Sequence, residues 1–475
     1  MTEEGAAKAE PKGDGSAGRA VVWIVLGFGG AQVLRLLSSL VLTRLLVPEV
    51  YGLMELVFAF IVALHLFSDF GLETAILQSR RGEETGFLNT AWTVGVARGL
   101  TLYVLCALGS GPVAAFYEEP ELRTLLLVAG LTSIIDGFCA TSMKTEVRRL
   151  NQKAVISLEL ASQVVTVAVQ IGVAYVEPSA WAIVFGGIAG AMVRLVGSHL
   201  YLDAIRHRFF IDRTALDEIV NLGRWIFLST ACTFVGTQAD RILIGKLVDL
   251  TSLGLYAIAT RLSSAVMALQ TKLIHNIVFP VLNREKNKFE EGDEREVPVL
   301  LAAFDAARFK LDVTFCFGCG LLLVGAPIVV DVLYDDRYLM AGHILSILSI
   351  SLAASTSLNA SETLLFSLGH TRYGFYRSLA RAVYVVVAVP IAHHLAGFWG
   401  IVWAMGLNEV PVAVVIWIAK KRIGLLRMRV ELRSFVFFFL GIGVGVLASL
   451  VLVGEAYYLP DLTNLPSLPI PESSR

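Results

Sequence analysis

Charge is scarce in this chain of 475 residues. Asp, Glu, Lys and Arg together make up 17%, against about 25% in soluble domains. The balance of 39 basic and 40 acidic residues leaves a net charge of -1, which gives no footing for nucleic acid. Cysteine is scarce too. The five (Cys106, Cys139, Cys232, Cys316 and Cys319) all stand in apolar runs. Cys316 and Cys319 have CxxC spacing, but no second Cys or His pair stands near them. They read as small packing residues rather than a metal or redox site. No Walker A loop, glycine-rich dinucleotide loop or HExxH motif occurs, so ATP hydrolysis has no support, no cofactor is implied and the chain does not read as an enzyme.

Apolar residues are what the chain has in excess, at 56% with a mean hydropathy of +0.69. About thirteen runs are long enough to cross a bilayer, where roughly 20 apolar residues suffice. They fall at 21–43, 51–76, 88–112, 122–143, 154–176, 180–203, 222–245, 253–280, 311–333, 340–368, 375–396, 398–419 and 434–453. Connections after even-numbered runs carry the cations: Arg80 and Arg81; Lys144, Arg148, Arg149 and Lys153; Arg206, Arg208 and Arg213; Arg284, Lys286 and Lys288; Arg372 and Arg377; Lys420, Lys421 and Arg422. Connections after odd-numbered runs are short and often acidic, as at Glu118–Glu121 and Asp335–Asp336. This positive-inside alternation predicts a multi-pass protein of the cell membrane with a cytoplasmic N-terminus. An odd count puts the C-terminus outside, unless the last run lies on the membrane surface.

The expected organisation follows. Residues 1–20 read as a disordered cytoplasmic tail, and with no cleavable signal before it the first span directs insertion. Residues 21–203 form an N-terminal six-helix lobe, 204–221 an amphipathic cytoplasmic linker and 222–419 a C-terminal six-helix lobe. Residues 420–453 supply a basic linker and one further membrane helix, and 454–475 a flexible tail. Ile205–Trp225 and Lys420–Arg433 mix basic and apolar residues and suit interfacial helices. Gly186-x3-Gly190 and Gly441-x3-Gly445 permit close packing, read as intramolecular.

An internal repeat stands out. The segment Leu42 to Leu53 (LTRLLVPEVYGL) matches Ile244 to Leu255 (IGKLVDLTSLGL), with the basic residue, the Leu after it and the later Gly-Leu in register. Six spans separate the copies, an even number, so both have one orientation. That predicts parallel repeats about an axis along the membrane normal, a layout in which the substrate site lies between the halves. Arg44 to Leu53 also resembles the first hairpin of the polysaccharide and oligosaccharide-lipid flippases, and Ser68 to Ala75 the end of their second span. Asp240 to Lys246, Gly254 to Ala257 and Phe279 to Leu282 are similar to their second-lobe signature. The resemblance covers about residues 20 to 420. It implies an all-α polytopic protein of the superfamily that includes multidrug exporters and lipid II flippases. Its two parallel-repeat six-helix lobes would form a V-shaped transporter, with about one extra C-terminal helix where the common form has two.

Ionisable residues at membrane depth are costly and usually face a cavity or a partner. Glu55, Asp69 and Glu73 follow steps of four and three with Ala59, Val62 and Leu66, one face of a helix. Arg261, Ala265, Ala268, Lys272 and His275 make a basic stripe on the counterpart span. Arg35 adds a cation, and Asp240 and Arg241 sit on the seventh span. These are the candidate cavity residues, with Gln32, Glu55, Gln238 and Glu362 secondary. Arg98, Asp136, Glu159, Arg194 and Glu409 read as further candidates or inter-helix pairs. Arg fits phosphate bidentately and Lys supplies a point charge, suited to the anionic head of a lipid-linked glycan.

The leading expectation is a flippase moving lipid-linked oligosaccharide or polysaccharide repeat units by alternating access, in lipopolysaccharide or exopolysaccharide biosynthesis. The alternatives are a multidrug–cation antiporter and a membrane polysaccharide polymerase or glycosyltransferase. The expected partners are the lipid-linked glycan and membrane lipids. A coupling cation, a polymerase and glycosyltransferases stay open, and nucleic acid is not expected.

Overall fold

The computed structural model describes residues 15–66, 68, 72–79, 81–149, 151–202, 206–274, 278–286, 288, 296–370 and 372–453. Among them every regular element is helical. In chain order the helices are α1 (Gly15–Leu45), α2 (Pro48–Leu66), α3 (Leu72–Gln78), α4 (Thr85–Tyr117), α5 (Glu121–Ala129), α6 (Leu131–Phe138), α7 (Ser142–Arg148), α8 (Gln152–Val176), α9 (Ala180–Leu200), α10 (Arg213–Leu247), α11 (Leu250–Leu273), α12 (Phe279–Lys286), α13 (Glu296–Leu311), α14 (Phe317–Leu333), α15 (Leu339–Ser367), α16 (Arg372–Gly406), α17 (Glu409–Arg422) and α18 (Met428–Val453). A π-helical stretch, Asp312–Cys316, joins α13 to α14.

Helical residues fall in each of the thirteen expected runs, but not every run is one helix. Nine helical stretches among the described residues are long and apolar enough to cross a membrane, or ten if the bent pair Glu121–Phe138 and Ser142–Arg148 is one span. The longest, Arg372–Arg422, holds two expected runs. It breaks at Ala396 and Gly397, where Gly397 has φ +57°, a conformation that favours a residue without Cβ.

The helices differ from expectation in several places; the fourth run, for one, is divided among α5, α6 and α7, with a bend of 57° before α7. α1 starts at Gly15, six residues ahead of the first expected span. The second run is not one helix: α2 stops at Leu66 and Glu73 stands on the separate α3, so the acidic stripe from Glu55 ends at Leu66. The expected amphipathic linker helix is absent from 206–212, which is non-helical.

That linker has found other partners. The amide of Arg208 donates to Asn89 Oδ1 (3.2 Å), that of Phe210 to Thr93 Oγ1 (3.2 Å) and that of Asp212 to Thr90 Oγ1 (2.9 Å). Polar side chains of α4 thus satisfy alternate amides that helix formation would otherwise satisfy. Trp92 stacks on His207 at 5.3 Å, and the Thr141 amide donates to His207 Nε2 at 3.2 Å.

The chain divides into two compact units. The first holds Met1–Leu42, Ser68–Pro112 and Arg123–Phe227; the second holds Thr43–Phe67, Val113–Leu122 and Leu228–Arg475. In the first, Ala75, Ile76, Phe87, Leu88, Ala91, Ala215 and Ile219 form one apolar cluster. Gly186 and Gly190 lie against Gln170, Thr166 and Ser162 of α8, so this glycine pair packs within the chain.

Apolar burial supplies little drive between helices in lipid, which leaves close packing and polar contacts to hold them. The second unit uses both. Gly441 lies against Phe317, and Gly445 against Val324. Nearby, a buried ionic cluster ties α18 down. Glu431 accepts from Arg308 Nη2 (2.9 Å) and Lys420 Nζ (2.5 Å). Asp312 accepts from Ser357 Oγ (3.0 Å) and Arg433 Nη2 (3.1 Å). Arg308 and Asp312 are fully buried. Cys316 and Cys319 are buried free thiols beside it.

Candidate functional site

Two matching helix starts build the site within the second unit. Pro48 opens α2, the position where its missing N–H costs nothing. Asp249 caps α11, its carboxylate accepting from the Ser252 amide (3.0 Å) and hydroxyl (2.7 Å). The two helices then cross. A Cβ added at Gly52 would run into the Leu250 carbonyl, and one at Gly254 into the Pro48 carbonyl. Only glycine allows this approach. The crossing is reciprocal, and the Thr251 hydroxyl donates to Glu49 Oε1 at 2.6 Å across a separation of 202 residues. The same offset aligns Leu42–Leu53 with Ile244–Leu255. Equivalent residues of the repeated hairpins therefore meet each other.

The ionised candidates of this unit stand next to the crossing. Glu55 is 4% exposed, and its Oε1 lies 2.9 Å from Arg241 Nε. The Tyr256 hydroxyl is 3.4 Å from Asp240 Oδ2, while Asp240 Oδ1 and Gln238 Oε1 are buried and accept no hydrogen bond among the described residues. The Arg261 guanidinium lies 5.0 Å from the Tyr51 ring centroid, a cation–π distance. Arg261, Ala265, Ala268 and Lys272 continue along the single helix α11, each half-buried.

A ring of polar contacts closes the same end. The Tyr338 hydroxyl donates to the Leu46 carbonyl at 2.7 Å. Arg337 Nη2 donates to the carbonyls of Thr43 (3.3 Å) and Arg44 (3.2 Å), satisfying acceptors that the end of α1 leaves unpaired. Lys246 Nζ reaches the Phe116 carbonyl (2.6 Å) and Glu118 Oε1 (2.9 Å), and this cation pulls the Glu118 carboxyl below its ordinary range. The connections after expected runs one, three, seven and nine converge here. Tyr51, Tyr338, Arg337 and Thr251 were not visible as site residues in sequence, since a tyrosine in an apolar run reads as packing. The acidic turn at Asp335 was the one available signal.

The other candidates are distributed differently. In the first unit, Arg35 is exposed on α1, its Nε donating to the Ala31 carbonyl at 3.2 Å, and Gln32 is half-buried. Glu73 pairs with Lys144 at 2.5 Å, and Asp136 with Arg194 at 3.2 Å. Arg98 donates to Ser68 Oγ at 3.0 Å, and Glu159 is exposed. In the second unit Glu362 pairs with Arg377 and Glu409 with Arg381. Asp69 and His275 lie outside the described residues. Among the described residues no three of His, Cys, Asp and Glu gather to hold a metal.

Comparison with known proteins gives this geometry a family. The chain is similar to the teichuronic acid biosynthesis protein TuaB of Bacillus subtilis (strain 168), 21% identical over 363 residues, covering 72% of this chain and 73% of that one. It is also similar to the succinoglycan biosynthesis transport protein ExoT of Rhizobium meliloti (strain 1021), 21% identical over 408 residues, 84% of this chain and 79% of that one. Among solved structures, the lipid II flippase MurJ in an inward closed conformation matches with a TM-score of 0.68 at 13% identity, over 91% of this chain and 97% of that one. An inward-facing multidrug transporter of the MATE family matches with a TM-score of 0.62 at 12% identity, over 85% and 98%. At such identities the likeness establishes the fold alone, a polytopic all-α transporter fold. The family described as polysaccharide biosynthesis protein matches residues 41–295, a stretch that includes both hairpins and the whole α2–α11 crossing and is more than half of the 475 residues. The chain belongs to the polysaccharide biosynthesis protein family.

Proposed function

We propose that this chain is a flippase that carries lipid-linked oligosaccharide repeat units across the cytoplasmic membrane, by alternating access, for assembly of a cell-surface polysaccharide. The observation that carries the reading is the α2–α11 crossing. It joins equivalent ends of two repeated hairpins and runs directly into the cationic stripe of α11. Membership of the polysaccharide biosynthesis family supports it, as do relatives named for teichuronic acid and succinoglycan. The chain acts as a transporter rather than an enzyme, with its N-terminus inside and its acidic turns outside, as loop charge indicates. Polymerase and glycosyltransferases would stand before and after it. A coupling cation, where used, would find the unpartnered carboxylate oxygen of Asp240.

The substrate's head carries phosphate. Arg261, which rests on an aromatic face in this conformation, is the cation best able to exchange its partner for phosphate. Lys272 lies eleven residues on, about 16 Å along the helix, too far to share one phosphate, so it would meet another part of the head. Arg35 supplies a cation from α1. Neither polar drugs nor cations explain a cationic stripe, which disfavours the multidrug reading.

The test is flipping of a fluorescent lipid-linked glycan in reconstituted vesicles at matched protein levels. Arg35→Ala and Arg261→Ala should each cut the rate more than tenfold. Arg261→Lys should be impaired because the planar fork is gone. Arg429→Ala, exposed in the first turn of α18, should be near wild type. Full flipping by both alanine variants, with export of a fluorescent organic cation instead, would replace this reading with the antiporter.

A further inference from the structure

Helices α16 and α17 enclose a second feature, unrelated to the crossing. It is a cleft of about 480 Å³ whose walls include Tyr376, Leu379 and Val383 of α16, with Ile418 and Arg422 of α17. That volume lies within the range of small-molecule sites, roughly 300–1,000 Å³. α16 presents two different faces. On one, Arg377 and Arg381 are neutralised by Glu362 and Glu409. On the other, Tyr376, Leu379 and Val383 are each about half exposed and form the cleft.

The cleft is graded along its length. Leu379, Val383 and Ile418 give it an apolar body. Its end, where α16 begins and α17 finishes, is cationic. Arg422 and Lys421 are exposed, and the Arg372 guanidinium lies 5.2 Å from the ring of Tyr373, itself part of the cleft wall. No carboxylate lines the cleft, and among the described residues none of these three cations has an ion pair. Several other basic residues of the chain are paired: Arg81 with Asp212, Lys144 with Glu73, Lys288 with Glu285 and Arg427 with Asp305. An apolar trough with three unneutralised cations at its interfacial end is complementary to one kind of molecule in a membrane.

We propose that the α16–α17 cleft is a binding site for an anionic phospholipid, with its phosphate at Arg422 and an acyl chain along Leu379, Val383 and Ile418. Arg supplies paired donors to the phosphate, and the tyrosine hydroxyls Tyr373 and Tyr376 stand at head-group level, where amphipathic rings are favoured. The site does not depend on the transport reading.

Native mass spectrometry of the full chain in detergent tests it, with added dioleoylphosphatidylglycerol or dioleoylphosphatidylcholine as probes. The wild type should retain the anionic lipid in preference to the zwitterionic one. Arg422→Gln should lower that preference about fivefold, the effect of one interfacial cation, while Arg429→Gln in the first turn of α18 should leave it intact. Ala380→Trp should fill the cleft and abolish retention; should that variant not fold, Val383→Trp at the exposed mouth makes the same test. Glycerophosphoglycerol, the head group without chains, should not displace the bound lipid. Equal retention by Arg422→Gln and Arg429→Gln, or displacement by the chain-free head group, would overturn the proposal.

Discussion

Glu55 illustrates how a single residue is constrained in so apolar a chain. It is almost fully buried, and its ionic partner among the described residues is Arg241. Removing one member of a buried pair strands the other, at a cost of about 3–5 kcal/mol, whereas removing both costs much less. Because Arg241 is 30% exposed, the lower end applies. Arg241→Ala should therefore destabilise the protein by about 3 kcal/mol, and Glu55→Gln combined with Arg241→Gln should recover more than half of that loss. Thermal unfolding of the wild type and the two variants in one detergent measures it, and a double variant no better than Arg241→Ala would show that the two charges are not coupled. The charges themselves were legible in the sequence, since an ionisable group in an apolar run announces itself. Their partners were not. Arg261 reads as a substrate cation, yet in this conformation it rests on Tyr51, 210 positions away in sequence and without polar context of its own.

At the scale of elements, the helical character of the apolar runs was legible because helix length and apolarity are local properties, although nine or ten stretches among the described residues qualify as spans where thirteen were expected. The breaks within them were not, because they answer to tertiary partners. The segment 206–212 reads as an amphipathic helix, but Asn89, Thr90 and Thr93 take up its amides, and α10 starts only at Arg213. The ionic cluster of Arg308, Asp312, Lys420 and Glu431 was missed for the same reason: its members come from helices far apart in sequence, and each alone looks like an interfacial charge. The fixed segment carries a pH signature. Burial, with His199 nearby, lowers His207 to about 4, and it must be neutral to accept from Thr141. Hydrogen bonds from Arg81 and Thr214 lower Asp212 to about 2. Both values are depressed on folding, so both contributions are present at neutral pH and lost on acidification. That of His207 fades from about pH 6.5, its free value, down to about 4. That of Asp212 fades from about 3.9 down to about 2. Amide exchange at residues 208–212 should accelerate in these two steps beyond the intrinsic pH dependence. Asp212→Asn should erase the lower step and weaken protection already at pH 7. A single step unaffected by that change would reject the assignment.

At the scale of the molecule, the repeat was readable but the meeting of its copies was not. Nothing local in Leu42–Leu53 says that it will touch Ile244–Leu255. What the contact requires is glycine at both equivalent positions, and this the register of the repeat does contain. The consequence is mechanical. With Gly52 against the Leu250 carbonyl and Gly254 against the Pro48 carbonyl, the two hairpins are as close as backbones can come, and Glu49, Thr251, Arg337, Tyr338, Lys246 and Glu118 pin the surrounding chain. If the proposed alternating access opens at this crossing, the hairpins must part for a polar head group to pass. Glu49→Cys with Thr251→Cys, in a chain whose five native cysteines are replaced by alanine, should be joined by a short bis-thiol cross-linker. The joined protein should lose glycan flipping, and cleavage of a reducible linker should restore it. Gly52→Leu should act in the opposite sense, wedging the crossing apart, lowering the yield of that cross-link and raising the labelling of Thr251→Cys by a polar maleimide added from outside. A protein that flips at the uncross-linked rate while fully cross-linked would mean that the exit lies elsewhere, and that the glycine crossing is a fixed joint of the fold.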